Sequence, residues 1–231
     1  MPGAMPMSYE AGKVEVVTSV QRRRRWTLAE KVQLVEEANQ PWGSISYVAR
    51  KYGISASQLF RWRRLMAEGG KTAVQADDEV VAASQVKELK RQIRHTGKGR
   101  QVPHQGKVIT LKSNQRWCSD GFEIPCWNGE VVGVAFGLDS CDREAMSWVA
   151  TTAGVSGEMI RDLMVEAVES RFGPVERAPR PMEWLTDNGS CYTASDTVSF
   201  ALGLGMLPCF TPVKSPESNG MAESFVKSFK R

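Results

Sequence analysis

Apolar residues recur at helical spacing through the first third of the chain, then give way to strand-like runs after about residue 108. Thr27-Leu-Ala-Glu30 is a capping box, in which the Thr27 hydroxyl can accept from the Glu30 amide while Glu30 reaches back. Leu28, Val32 and Val35 follow on one stripe, and Pro41-Trp-Gly43 closes that helix. A short helix after Ser44 carries Ile45, Val48 and Ala49 and stops at Gly53. The third begins at Ser55-Ala-Ser-Gln58, a second capping box, and runs to about Ala67 before Gly69-Gly70.

Two helices joined by a tight glycine turn form a helix-turn-helix signature. On the third helix Leu59, Trp62 and Met66 share one face, while Ser57, Arg61 and Arg64 share another. The first face packs inward and the second is expected to enter a major groove, with Ser57 and Gln58 at the leading end. Arg61 suits bidentate pairing with guanine, and Arg63 and Arg64 suit phosphates. The run Arg22, Arg23, Arg24, Arg25 fits the backbone or the minor groove. The plainer alternative is a three-helix packing module with a solvated basic face.

Beyond about Val108 the pattern predicts alternating strands and helices. Trp117-Cys-Ser-Asp120 reads as a first strand. Val131–Leu138 is apolar on both faces, as a central strand requires, and Glu144–Thr152 alternates with period two. Asn128-Gly129 supplies a hairpin turn between the first two strands. Ser156 caps a helix with Ile160, Leu163, Met164, Ala167 and Val168 on its buried stripe, ending near Gly173. A short strand at Glu183–Asp187, a helix around Asp196–Leu204, a strand at Leu207–Phe210 and a helix after Ser215-Pro216 complete the series. The fold class expected is α + α/β: an N-terminal three-helix helix-turn-helix domain, then a ribonuclease-H-like mixed-sheet domain. The corresponding division is a flexible tail over 1–21, the helix-turn-helix over 22–70, a linker with a short helix over 71–107, and the core over 108–231. The linker helix would carry Val86, Leu89 and Ile93.

Composition narrows the class. The 231 residues are 42% apolar and 24% charged, ample for a buried core and without any apolar run long enough to cross a bilayer. Five cysteines without a C-x-x-C pair and only two histidines argue against a disulfide scaffold and a Cys/His zinc module, and favour a reducing cytoplasm. Residues 1–100 hold 18 Lys+Arg against 10 Asp+Glu, whereas residues 101–231 hold 12 against 16. A basic front half and a mildly acidic back half suit polyanion binding in one part and metal binding in the other.

Asp120 and Asp187 lie at or near strand ends, where an acid is either a turn former or a ligand at the sheet edge. Glu223 lies on an amphipathic helix, where a solvated glutamate is the default. Asp139 and Asp142, near the end of the second strand, read as turn acids. Three carboxylates converging from separate elements would suffice for Mg²⁺, which prefers oxygen ligands and keeps several waters.

Three blocks, Trp117-Cys-Ser-Asp-Gly-Phe-Glu-Ile124, Trp184-Leu-Thr-Asp-Asn-Gly-Ser-Cys-Tyr192 and Lys214-Ser-Pro-Glu-Ser-Asn-Gly-Met-Ala-Glu-Ser-Phe-Val-Lys227, stand in order. They closely resemble the catalytic blocks of bacterial insertion-sequence transposases with an N-terminal helix-turn-helix and a retroviral-integrase-like DDE core. The 35 residues between Asp187 and Glu223 match the spacing of that group. The resemblance implies that Asp120, Asp187 and Glu223 hold two Mg²⁺ ions, with Mn²⁺ as a substitute, for cleavage and transfer of DNA strands. It implies turn and support roles for Asn188, Gly189, Asn219 and Gly220, and phosphate contacts from Lys227 and Lys230. Double-stranded DNA, as element ends and target, is the implied partner, together with self-association or pairing with an intact transposase. The implied location is the bacterial cytoplasm, at the nucleoid.

Two departures bear on activity. Family members carry a coiled coil and further DNA-binding stretch between helix-turn-helix and core, whereas here the first block breaks off near Arg94 and the core begins near His95. The family core also continues past the glutamate helix, which here ends at Arg231. These departures imply an internally deleted, C-terminally truncated chain that binds DNA, fails to transpose unaided and inhibits an intact relative. The competing readings are a non-catalytic DNA-binding repressor and a ribonuclease-H-like nuclease that does not transpose.

Overall fold

The computed structural model describes residues 25–76, 110–211 and 220–230. The tail over 1–21, Arg22, Arg23, Arg24, the linker helix beyond Ala76 and Asn219 lie outside the described residues.

Helix α1 (Leu28–Ala38) starts at the Thr27 capping box, where Thr27 Oγ1 accepts from the Glu30 amide at 3.3 Å and Glu30 Oε2 accepts from the Thr27 amide at 2.8 Å. Its buried stripe is Lys31, Leu34, Val35 and Ala38, rotated from the expected one, with Val32 only half-buried. Lys31 can be buried because its ammonium donates to Val74 O at 3.1 Å and lies over the Trp62 ring. Helix α2 (Ile45–Tyr52) is capped by Ser44 and closed by Gly53 in the left-handed conformation. Thr27→Ala is expected to destabilise the protein by about 1 kcal/mol. Urea denaturation would read this as a lower midpoint with unchanged slope.

Helix α3 (Ala56–Ala76) does not end at Ala67. The chain kinks at Gly70, whose φ of 64° and ψ of −163° are open to glycine, and a further helical turn follows. That turn brings Ala73 and Val74 onto Leu65, beside Leu28, and buries them. A Gly-Gly pair reads as a stop in sequence, but here it is a hinge that returns apolar residues to the bundle.

The second part is a five-stranded sheet in the order β3-β2-β1-β4-β5. Strands β1 (Arg116–Pro125), β2 (Val131–Asp139) and β3 (Ala145–Thr151) form an antiparallel meander, with Asn128 and Gly129 in the first turn. Helix α4 (Gly157–Phe172), capped by Ser156, crosses over to β4 (Met182–Thr186), which runs parallel to β1. Short α5 (Ser190–Thr193) and α6 (Ser195–Gly203) lead to β5 (Met206–Phe210), parallel to β4. Helix α7 (Gly220–Phe229) packs on β1 and β2, with Phe225 against Phe136 at 4.6 Å and Phe229 against Phe122 at 5.0 Å. This is the expected ribonuclease-H-like arrangement of sheet and helices, preceded by the three-helix domain. Among the described residues no helix is long and apolar enough to cross a membrane.

The helical part and the sheet share one apolar core. A single buried cluster runs from Leu34, Ile45 and Leu59 through Ile160 and Leu163 to Trp184 and Met206. Phe60 of α3 meets Phe200 of α6 edge-on at 5.5 Å.

Candidate active site and nucleic-acid interface

Asp120 sits in mid-β1, opposite Phe136 of β2. Residues of a strand alternate between faces, so Asp120 shares its face with Cys118 and Phe122, which cluster with Ala222 of α7. Ala222 is fully buried at this contact, and Glu223, in the first turn of α7, is the next residue along. Asp187 follows directly on β4 and is exposed. Its Oδ1 accepts from the Gly189 amide at 3.0 Å, closing a tight turn. A Cβ at position 189 would stand 3.0 Å from Asp187 Oδ1, so glycine leaves the carboxylate its room. Asn188 Nδ2 donates to Thr211 O at 2.8 Å and ties this turn to the end of β5.

Electrostatics relate the three acids. Burial raises the pKa of half-buried Asp120, the Gly121 amide opposes this, and the charges of Asp187 and Glu223 raise it further. The charges of Asp187 and Glu223 therefore both reach Asp120. Asp120 Oδ1 accepts from the Gly121 amide at 2.8 Å, and the second oxygens of Asp120 and Asp187 accept from no described residue. A set made only of carboxylate oxygens matches a hard cation such as Mg²⁺. Among the described residues, no three His, Cys, Asp or Glu side chains stand close enough together to hold a metal as they are.

Asp139 and Asp142 have other duties. Asp139 is fully buried and accepts from the Asn114, Cys141 and Asp142 amides and from Trp117 Nε1. Asp142 accepts from Ser113 Oγ at 2.6 Å and pairs with Arg171. Asp139 thus holds the β2–β3 turn, as read from sequence, while the Asp142 side chain ties that turn to Ser113 and Arg171. Lys227 lies one turn beyond Glu223 and is exposed, while the Lys230 ammonium lies 5.7 Å from the centre of the Phe122 ring. Gly220 opens α7.

The basic candidates divide. Arg25 and Arg61 are exposed. Arg64 is half-buried and pairs with Glu68 at 2.9 Å, and Gln58 is half-buried, its amide donating to Ser55 Oγ. Ser57 and Arg63 are not surface groups, contrary to the expectation for a helix face open to a groove. Ser57 is 7% exposed and its amide donates to Asp162 Oδ1 of α4 at 2.8 Å. Arg63 is 5% exposed, donates to Val175 O at 2.9 Å and lies over the Phe60 ring. The physical reasons are α4, which offers Asp162 to the start of α3 and Glu166 and Glu169 to α2, and the segment after α4, whose Val175 carbonyl accepts from Arg63. Glu169 accepts from the Ile45 and Ser46 amides at 2.7 and 2.9 Å, and Glu166 pairs with Arg50 at 3.5 Å. These partners were invisible to a reading of helix faces alone.

Sequence reasoning also passed over Tyr192. It is buried, and its hydroxyl and Ser119 Oγ are 3.0 Å apart. Its place five residues after Asp187, inside the second block, was the available signal.

Comparison with known proteins agrees with this architecture. A family profile described as "Integrase core domain" matches residues 111–216, and one described as "Transposase" matches residues 20–94. The insertion element IS2A uncharacterized 48.2 kDa protein of Escherichia coli is 33% identical over 348 aligned positions, covering 93% of this chain and 82% of that one. That alignment is longer than the chain, so the relative carries residues within the aligned span that have no counterpart here. Transposase InsD for insertion element IS2A/D/F/H/I/K of Escherichia coli is 58% identical over 128 residues, 55% of this chain and 42% of that one. The solved HTLV-2 integrase catalytic core domain in complex with magnesium is 16% identical, with a TM-score of 0.39, over 52% of this chain and 70% of that one. On the strength of the full-span sequence relative and the two profiles, the chain belongs to the insertion-element transposases that join a helix-turn-helix to an integrase core domain.

Proposed function

We propose that this chain binds double-stranded DNA at element ends through its helical domain, and that its core supports Mg²⁺-dependent cleavage and transfer of DNA strands. The observation that supports the reading is geometric: the β1 face that carries Asp120 packs on Ala222 of α7, next to Glu223, and Asp187 follows β4, the parallel neighbour of β1. The three would hold the divalent ions, which supply activation of a water or 3′-hydroxyl and stabilise the leaving oxygen of an in-line phosphoryl displacement.

The chain's own groups do the rest. Asn188 and Gly189 hold the Asp187 turn, and Lys227 is placed to meet a phosphate beside Glu223. Gly220 opens the glutamate helix, and Asn219 keeps the supporting role that the resemblance implies for it. Arg61, supported by Gln58, Arg64 and the Arg22–Arg25 run, gives the helical domain its cationic contacts with DNA. Lys230 serves the same helix end as Lys227. Target DNA and a second transposase copy are the partners this reading calls for.

The test is a labelled duplex bearing the inverted-repeat ends of the element, incubated with the full chain and Mg²⁺ or Mn²⁺. Metal-dependent nicking at the element boundary is expected, and binding should weaken with salt by roughly 0.9 in log–log slope per phosphate neutralised. Arg61→Ala should weaken binding to the preferred site by about 1–3 kcal/mol and relax its specificity. Binding that ignores both salt and Arg61→Ala would remove the helical domain from the DNA interface.

A further inference from the structure

Strands β1 and β4 run parallel, but their pairing covers only Arg116↔Glu183, Trp117↔Trp184 and Cys118↔Leu185. Beyond that last pair β1 continues beside β2 alone, and β4 stays with β5 through Thr186↔Phe210. Asp120 and Asp187 each lie two residues past the last paired position, on the two arms of a fork. No backbone ladder bond sets their separation.

A side-chain bridge crosses the fork. Tyr192, from α5, reaches Ser119 of β1 with a hydroxyl–hydroxyl distance of 3.0 Å. Both residues are sealed from solvent, Ser119 completely and Tyr192 at 6% exposure. From Tyr192 the connection runs on to the second acid. The Tyr192 amide donates to Gly189 O at 3.0 Å, and the Gly189 amide donates to Asp187 Oδ1 at 3.0 Å. Ser119 is covalently next to Asp120, so the connection begins and ends at the two carboxylates. The charges of Asp120 and Asp187 both reach the Tyr192 hydroxyl, which agrees with its place between them.

We propose that Tyr192 is a positioning residue whose hydroxyl, bonded to Ser119, sets the gap between the Asp120 and Asp187 carboxylates and so their joint affinity for a divalent cation. The inference rests on the reading of those acids as metal-holding groups. A buried hydrogen bond in a low-dielectric setting is stiff, and groups that orient metal ligands commonly govern affinity by 10–100-fold.

The experiment is a Mn²⁺ titration of the full chain, followed by electron paramagnetic resonance, alongside thermal denaturation. Tyr192→Phe and Ser119→Ala should each raise the Mn²⁺ dissociation constant about 10-fold. The double variant should be no worse than either single one, because both remove the same bond. Ser147→Ala is the control. It deletes another buried hydroxyl, on β3, which donates to Leu163 O of α4 at 2.9 Å, and should lower the melting temperature without changing Mn²⁺ affinity. Tight Mn²⁺ binding by the natural chain with unchanged affinity in both single variants overturns the positioning role. Additive losses in the double variant overturn the bridge as the shared cause. Absence of Mn²⁺ binding by the natural chain instead overturns the reading of the acids themselves, and the inference goes with it.

Discussion

Asp187→Asn is expected to abolish divalent-metal binding and to lower metal-dependent nicking by at least ~100-fold, or about 2.7 kcal/mol of barrier, while the fold survives. Asp187 is exposed, and in the fold its Oδ1 accepts from the Gly189 amide. An asparagine oxygen accepts equally well, so the turn persists while the charge is lost. Asp120→Asn should lose metal as well, but with the opposite effect on stability. Burial and the neighbouring charges raise its pKa, so ionised Asp120 works against the fold. For a carboxyl raised in the folded state, stability falls as pH rises through the folded pKa. At neutral pH Asp120→Asn should therefore melt higher than the natural chain and bind Mn²⁺ worse. Nicking by Asp187→Asn at the natural rate would remove that residue from the site.

The elements that sequence made legible are those whose causes are local. The Thr27 capping box, the Ser44 and Ser156 caps and the Gly53 stop act within a few residues, and all are present as expected. The doubly apolar β2 could only be a central strand, and it lies between β1 and β3. Where the sequence misled, a distant partner decided the outcome. Gly69-Gly70 looked terminal because nothing nearby announced that Val74 would be buried against Leu65. The burial of Lys31 likewise depends on a carbonyl acceptor 43 positions away.

The same logic applies to the sites. Asp120, Asp187 and Glu223 stood out through their motif order and spacing, which is one-dimensional information. The Ser119–Tyr192 bridge is a contact between neighbours in space, 73 positions apart, and spacing alone does not reveal it. Helix periodicity puts Ser57 on the face expected to enter a groove, and the positive charge of Arg63 suggests a phosphate contact. Periodicity cannot show that a carboxylate of α4 and the Val175 carbonyl just beyond it take these groups inside.

That buried seam carries the second large expected effect, which depends on pH. Asp162, Glu166 and Glu169 lie on one face of α4, and two of them receive amides from the starts of α2 and α3. The first amides of a helix lack intrahelical partners and carry partial positive charge, so these carboxylates complete both ends. Burial pushes Asp162 up to about 6, with Ser57 opposing the rise and Glu158 and Glu166 adding to it. The folded state therefore takes up this proton more readily than the unfolded chain, and stability falls as pH rises from about 4 through 6. The gap between an ordinary carboxyl and one near 6 corresponds to roughly 3 kcal/mol at most. Asp162→Asn keeps an oxygen for the Ser57 amide and removes the charge. Its melting temperature should exceed that of the natural chain at pH 7.5 and approach it at pH 4.5. Glu169→Ala should do the reverse, leaving the Ile45 and Ser46 amides without their acceptor and destabilising the seam by about 2–4 kcal/mol. Because Glu169 joins the helical domain to the core, calorimetry of that variant should show two transitions where the natural chain shows one. A single unshifted transition in Glu169→Ala would mean that this carboxylate does not hold the two parts together, and an Asp162→Asn melting curve with the natural pH dependence would mean that Asp162 is not the group whose proton uptake stabilises the fold.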